Sequence, residues 1–406
     1  MAVMDLSDWL VERANEGTFW IAKRLAGNDT LATESHQAGP YIPKALAFSI
    51  FPGLYRTDVR NPDVWLDAYV DSHMDHRQVR LVYYNNKFFG GSRNETRITN
   101  WGGTASAVLD PDATGALAVF VFAKEPTGAT TLYVWVASGP AEEETIEERL
   151  GVIEPGHFLS WQPANAQGVQ RVAPPQPSCR LTPNELPAAW RLAFPPASDI
   201  VRKSVELRPL NGAVADTRLV RRRDCEFELF RSIEEAIEGP RIRTGFPSLD
   251  EFVTHANSVL QRRKSRSGRS LELQLREIFV EEGLQEGRNF SHQRESEQGK
   301  VPDFLFPSAD AYRDAAFPAA NLRMLAAKTT CKDRWRQVLT EADRVQHKHL
   351  LTLQEGVSER QFAEMAAHHL TLVVPKANID CFPKPVRPSL VTVEDFLASV
   401  RHLGRL

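Results

Sequence analysis

Eight of the chain's 26 prolines crowd into one stretch: Pro163, Pro174, Pro175, Pro177, Pro183, Pro187, Pro195 and Pro196. Each ring fixes φ and removes a main-chain donor, so the stretch cannot supply the ladder of a helix or a central strand. Apolar periodicity is lost there as well. The segment reads as a semi-extended linker, and a chain of 406 residues broken in this way is expected to fold as two domains. The expected division is 1–165, a proline-rich linker at 166–200, and 201–406.

The two sides of the break are patterned differently. Before it, an amphipathic helix is expected around Leu6–Ala14, with Asp5 or Ser7 as its cap. Runs rich in β-branched and aromatic residues follow, among them Trp65–Asp71, Gln78–Tyr84, Ala116–Phe122 and Thr131–Val136, each bounded by turn formers. Short strands at this density predict a barrel or sandwich. After the break, helical and strand patterns alternate. Strands are expected at Pro302–Phe306, Leu322–Ala327, Leu350–Leu353 and Leu370–Val374. Helices are expected after Ser248, around Leu271–Phe279, and at Asp333–Val345, Glu359–His368 and Val393–Val400. That order predicts a mixed sheet flanked by helices.

Charge and cysteine usage narrow the function classes. A net charge of −3 argues against a chain that coats nucleic acid over its whole surface, but it leaves room for a local basic cleft. The four cysteines (Cys179, Cys225, Cys331, Cys381) show no CxxC pair or zinc spacing, so reduced thiols in a cytoplasmic protein are expected. The N-terminus has early acids and no basic segment before an apolar run, which is unlike a signal peptide. No apolar run is long enough to span a bilayer.

Phosphodiester hydrolysis needs a metal to polarise the phosphate and a group that activates water, and magnesium prefers carboxylate oxygens. Asp303, in Pro302-Asp303, begins one expected strand, and Lys328 ends the next. Neighbouring strands can bring the two together. In the nuclease pattern PD…(D/E)xK an acid lies two residues before the lysine, on the same strand face. Here Ala326 stands in that place, and Glu341 is the candidate for the missing carboxylate. It lies on the expected helix, beside an apolar stripe of Trp335, Val338, Leu339, Ala342 and Val345. Glu272 is a further candidate for orienting the metal-bound water, or else a helical partner of Arg276.

Lys332 and Asp333 open the same expected helix. A helix presenting its first residues to the major groove can donate from lysine to guanine and accept at aspartate from cytosine. The plainer alternative is an N-cap with surface charges. The cluster Arg262, Arg263, Lys264, Arg266 and Arg269 suits phosphate contacts at a helix junction, or a solvated helix end. In the N-terminal part, the polar loop holding Arg93, Glu95 and Arg97 can form a DNA-reading cleft with Lys23, Arg24, His36 and Tyr41.

The segments Arg262–Leu273, Pro302–Ser308, Ala327–Gln337 and Leu353–Ser358, with Ala26–Thr30 and Tyr41–Pro43, resemble the EcoRII-type restriction endonucleases over nearly the whole chain. The resemblance implies a type IIE enzyme that cuts double-stranded DNA at a short site such as CCWGG, leaving 5′-phosphate ends, with a second copy of the site bound as effector. It implies an N-terminal β-pseudobarrel that grips effector DNA. It also implies a C-terminal α/β (αβα sandwich) nuclease domain that dimerises and is held inactive until effector binds. Carried over by position, Asp303 and Glu341 would bind Mg²⁺, and Lys328 would position water. Lys332 and Asp333 would read bases, with Arg334 nearby on the backbone. Arg222 and Phe227 would line the pocket for a flipped base, although Phe227 replaces a family tyrosine. In the effector cleft His36, Tyr41, Arg93, Glu95 and Arg97 match, whereas Gly91 and Thr96 replace family lysines, which predicts weaker and less salt-dependent effector binding. Two other functions compete: a DNA-binding regulator that does not cut, and a structure-specific repair nuclease.

Overall fold

The computed structural model describes residues 5–33, 39–124, 130–163, 170–172 and 179–403. The chain divides into two compact units. The first comprises 1–174 with 354–364 and 380–388, and the second 175–353 with 365–379 and 389–406.

In the first unit the β-rich expectation holds. Nine strands form one sheet: β1 (Thr18–Arg24), β2 (Tyr41–Ile42), β3 (Asp63–Val70), β4 (Asp75–Tyr84), β5 (Glu95–Thr99), β6 (Leu117–Lys124), β7 (Thr130–Val136), β8 (Phe158–Trp161) and β9 (Gln170–Val172). Their order is β2-β5-β4-β3-β7-β6-β1-β8-β9, antiparallel throughout except at the β3–β7 pair. The period of two along a strand sets two cores. On β6, Ala118, Phe120 and Phe122 join one cluster, and Leu117, Val119 and Val121 join the other. Eight of the nine strands send residues into the first cluster, which also takes Leu46, Ala47 and Ile50 from helix α2 (Lys44–Ile50), so the sheet curls around it. The second cluster is covered by α1 (Leu6–Glu12) and α3 (Pro140–Leu150). There Trp9 of α1 packs on Trp20 and Trp135 while its indole N–H donates to Asp71 at 2.6 Å, which satisfies a buried donor. Asp5 caps α1.

The second unit is built on a five-stranded mixed sheet in chain order: β10 (Ser291–His292), β11 (Phe304–Phe306), β12 (Arg323–Lys328), β13 (Lys348–Thr352) and β14 (Leu370–Val373). The first three strands are antiparallel and the last three parallel. Its helices are α4 (Ala197–Leu207), α5 (Ala215–Thr244), α6 (Leu249–Glu281), α7 (Ala309–Arg313), α8 (Trp335–Val338) and, after α9 (Glu359–Ala367), most of which belongs to the first unit, α10 (Val393–Arg401). One face of the sheet, bearing Phe304, Phe306, Leu325, Ala327 and Leu351, packs on Leu271, Leu275, Ile278 and Phe279 of α6 and on Phe396, Leu397 and Val400 of α10. Asp216, buried near the start of α5, accepts from the main-chain N–H groups of Lys376, Val393 and Glu394 and so ties α5 to the start of α10.

Four expectations are corrected. The helix expected after Ser248 and the one around Leu271–Phe279 are a single 33-residue α6 that Ser248 caps, so the basic cluster lies mid-helix and not at a junction. The helix expected at Asp333–Val345 shrinks to the four residues of α8, because Ala342 takes φ +50° and interrupts it. The stretch 166–200, expected as a linker, holds strand β9 at Gln170–Val172 and is packed from Cys179 onward. Cys179 and Leu186 are buried against Ile200 of α4 and Leu229, Phe230 and Ile233 of α5. This segment packs without a repeating pattern, which is why periodicity missed it. Pro174, Pro175 and Pro177 lie outside the described residues. Finally, Cys179 and Cys225 form a disulfide, against the expectation of reduced thiols; Cys331 and Cys381 take part in no disulfide. Among the described residues no helix is long and apolar enough to cross a membrane.

Candidate active site

The register of β11 and β12 assembles the first pair. Phe304 lies opposite Leu325, and both face the α6 core. Alternation therefore turns Asp303 and Lys328 to the opposite face. There Asp303 Oδ2 accepts from the Ala327 main-chain N–H at 2.8 Å and from Lys328 Nζ at 3.1 Å. Asp303 is 5% exposed, and burial raises its carboxyl above the usual range even though Lys328 and the Ala327 N–H oppose the shift.

Glu341 is not on a helix. It sits in the turn after α8, its N–H on the Val338 carbonyl, immediately before the left-handed Ala342. Trp335 and Val338 of α8, with Ala342 and Val345 beyond it, are buried as the apolar stripe predicts, and they anchor this turn. The Glu341 carboxylate is drawn inward. Its Oε2 is buried with no hydrogen-bond partner, and desolvation lifts the carboxyl to about 7. Lys328 pulls that value down and Asp303 pushes it up, so the three groups share one electrostatic neighbourhood. A carboxylate oxygen buried without a partner, in the field of a second carboxylate, is the kind of orphan a cation satisfies. Two carboxylates suit magnesium, which keeps several of its waters. Among the described residues there is no set of three His, Cys, Asp or Glu side chains that would hold a metal ion by themselves.

Glu272, on α6, lies at the edge of this site. Its Oε2 accepts from Gln293 Nε2 at 2.8 Å and lies 3.3 Å from His292 Nε2. Neither His292 nor Gln293 was singled out in the sequence, where nothing sets the pair apart. Strand pairing alone brings them here.

The other predicted residues divide into exposed and buried. Asp333 and Arg334 are exposed in the turn that leads into α8, with Lys332 beside them. Arg262 and Arg263 reach from α6 to Glu238 and Glu234 of α5, and Lys264 lies on the same stretch of α6. Arg266, expected at phosphates, is 6% exposed and paired with Glu226, with its guanidinium over Phe227 and Phe230. Arg222, expected in a base pocket, is 1% exposed and donates to the carbonyls of Arg208 and Pro209 and to Glu281.

In the first unit Tyr41 of β2 pairs in register with Arg97 of β5. Arg97 and Arg93 both bind Glu95, and Arg93 stacks over Tyr84 at 3.6 Å. These four predicted residues therefore do gather. Lys23 and Arg24 do not add to them as free cations: Lys23 is buried on Asp29, and Arg24 is buried between Glu143, Glu147 and the Ile153 carbonyl. A desolvated cation needs such partners, and once paired it is neutralised. His36 lies outside the described residues.

Two family models match the chain: the EcoRII C-terminal model over residues 230–397 and the N-terminal model of restriction endonuclease EcoRII over residues 14–165. The chain is 42% identical over 399 residues to the type II restriction enzyme EcoRII of Escherichia coli, covering 98% of this chain and 97% of that protein. It is 27% identical over 165 residues to the type II restriction enzyme SsoII of Shigella sonnei, covering 38% of this chain and 53% of that protein. Among solved structures, metal-depleted Ecl18kI bound to uncleaved, modified DNA matches with a TM-score of 0.41 at 22% identity, over 52% of this chain and 79% of that one. With both halves matched in order and the relationship running nearly end to end, the chain belongs to the EcoRII family of restriction endonucleases.

Proposed function

We propose that this protein is a magnesium-dependent, site-specific endonuclease that hydrolyses double-stranded DNA at a CCWGG-like sequence and leaves 5′-phosphate ends. The observation that carries the reading is the convergence of Lys328 Nζ and a main-chain N–H on one oxygen of Asp303, with Glu341, whose Oε2 is buried without a partner, in the same electrostatic field. Family membership supports it, since the relative of highest coverage described above is a type II restriction enzyme.

Asp303 and Glu341 would hold the ion. Bound there, the ion supplies Lewis-acid polarisation of the scissile phosphate and a lowered pKa for water. Lys328, fixed by Asp303, aims its ammonium at the attacking water and balances the charge that develops on the phosphate. Asp303 is held by the Ala327 N–H, so its ionised form is oriented before any ion arrives. Lys332 and the exposed Asp333 and Arg334 stand next to this site in the chain, where they would read a G·C pair beside the cut. Arg262 and Arg263 would contribute phosphate contacts by exchanging α5 carboxylates for DNA, with Lys264 beside them.

By the same reading the protein is a type IIE enzyme that acts as a homodimer through its C-terminal half, and residues 1–165 bind a second copy of the site. The gathered cations there are Arg93 and Arg97, partly neutralised by Glu95. Effector binding should therefore be weak and shallow in its salt dependence. Phe227 would stack on a flipped base if α5 opens. The compartment would be the cytoplasm.

The test is digestion of a plasmid with two CCWGG sites beside one with none, with magnesium present. Discrete fragments from the first alone are expected. A gel shift without cutting would instead assign a regulator, and equal cutting of both plasmids a structure-specific nuclease.

A further inference from the structure

Strand β10 ends at His292, and the next residue, Gln293, adopts φ +51°. The left-handed region costs a non-glycine residue free energy, and such positions persist where surrounding contacts hold them. Here the contacts are specific. The Gln293 main-chain N–H donates to the Asp303 carbonyl at 3.0 Å. Its side-chain Nε2 lies 2.8 Å from Glu272 Oε2 and 3.3 Å from Asp303 Oδ1. Both partners are carboxylate oxygens, so the amide must present its N–H₂ and not its oxygen toward them; the orientation follows from charge.

The bridge completes the surroundings of Asp303. Its Oδ2 is taken by Ala327 N–H and Lys328, and its Oδ1 by Gln293. Glu272 would otherwise face Asp303 as a like charge, and the amide stands between them. His292 supports the same geometry, with its ring stacked on Phe304 at 4.9 Å and its Nε2 3.3 Å from Glu272. Two consecutive residues thus hold an acid from α6 against the acid at the head of β11.

We propose that Gln293 is a positioning residue that ties Glu272 to Asp303 and so presets the Asp303 carboxylate for a divalent cation. The inference rests on the reading of Asp303 as a cation ligand given above. Groups that orient ligands from outside the coordination sphere change metal affinity by roughly 10–100-fold when removed.

The probe is Mn²⁺, titrated into the full-length protein and followed by its electron paramagnetic resonance signal, which reads binding without turnover. Gln293→Gly removes the amide while relieving the left-handed backbone, so its unfolding temperature should match or exceed that of the wild type. Its Mn²⁺ dissociation constant should rise about 10–100-fold. The magnesium concentration that gives half-maximal cleavage should rise in parallel, and DNA affinity should stay unchanged. Gln293→Asn tolerates the same backbone but is one methylene too short to span both acids, and it should show the same loss. If both variants bind Mn²⁺ within about twofold of the wild type, well below the change expected for such residues, the positioning role is overturned while the metal site stands. If the wild-type protein itself binds no Mn²⁺, the metal site falls, and this inference falls with it.

Discussion

Replacing Glu341 with glutamine should stabilise the metal-free protein, and chiefly above pH 5. The carboxyl has a folded-state value of about 7 against an ordinary 4.5, because burial disfavours its charged form. An acid raised in this way contributes its full stability below the unfolded value, and that contribution is lost as pH climbs through about 7. At about 1.4 kcal/mol per pH unit, the interval sets a ceiling of about 3.4 kcal/mol at pH 8. Part of the group remains in contact with solvent, and screening reduces the expected gain to about 1–2 kcal/mol. Glutamine keeps the shape and removes the charge. The melting temperature of the variant at pH 8 should therefore exceed that of the wild type by about 2–8 °C, shrinking to a small difference at pH 5. Differential scanning calorimetry of both proteins in chelator at the two pH values reads this directly. An equal shift at pH 5 and pH 8, or a loss at pH 8, would refute the argument that desolvated charge at Glu341 is waiting for a cation. Cleavage by the variant should be abolished under every condition in which it folds.

Lys328→Ala and Asp303→Asn should each abolish cleavage while leaving gel-shift affinity for DNA within a few-fold of the wild type, and retained cutting by either would remove it from the catalytic set. Asp216→Ala should cost about 3 kcal/mol in urea denaturation, because three main-chain N–H groups, that of Val393 buried, lose a charged acceptor that is itself buried. A chain starting at Cys179 should fold and cut faster than the full-length protein. A chain starting at Lys203 should lose stability, since it discards Cys179, Leu186 and Ile200 from the α5 core. Circular dichroism and cleavage rates on the two truncations separate these outcomes.

How much of this was legible in advance depended on whether the physics was local. Strand β3 and the start of β4 were readable from alternating burial, helices α9 and α10 from a helical period, and the largely buried β6, β7 and β11 to β14 from short apolar and β-branched runs between turn formers. The Asp303–Lys328 pair was readable as well, since two adjoining strands with their residues on one face need only register to meet. Glu341 was expected near Asp303 and Lys328, whose charges it feels, but on a helix, which it does not occupy. Nothing in Thr340-Glu341-Ala342 announces that Ala342 will turn left-handed, and it is that turn, not a helix flank, that aims the carboxylate.

By itself, then, the sequence determined the β-rich first part and mixed-sheet second part, the acid–lysine pair, and the family. Tertiary structure alone decided which charges are available. Arg266, Arg222, Lys23 and Arg24 look like surface cations in one dimension, yet each is desolvated and matched by a carboxylate brought from elsewhere in the chain. It also decided that Cys179 meets Cys225 and that Gln293 spans two acids. The reason is common to all of them. Periodicity and propensity are properties of neighbours along the chain, whereas burial, pairing and strain are set by residues that only folding brings within a few ångströms.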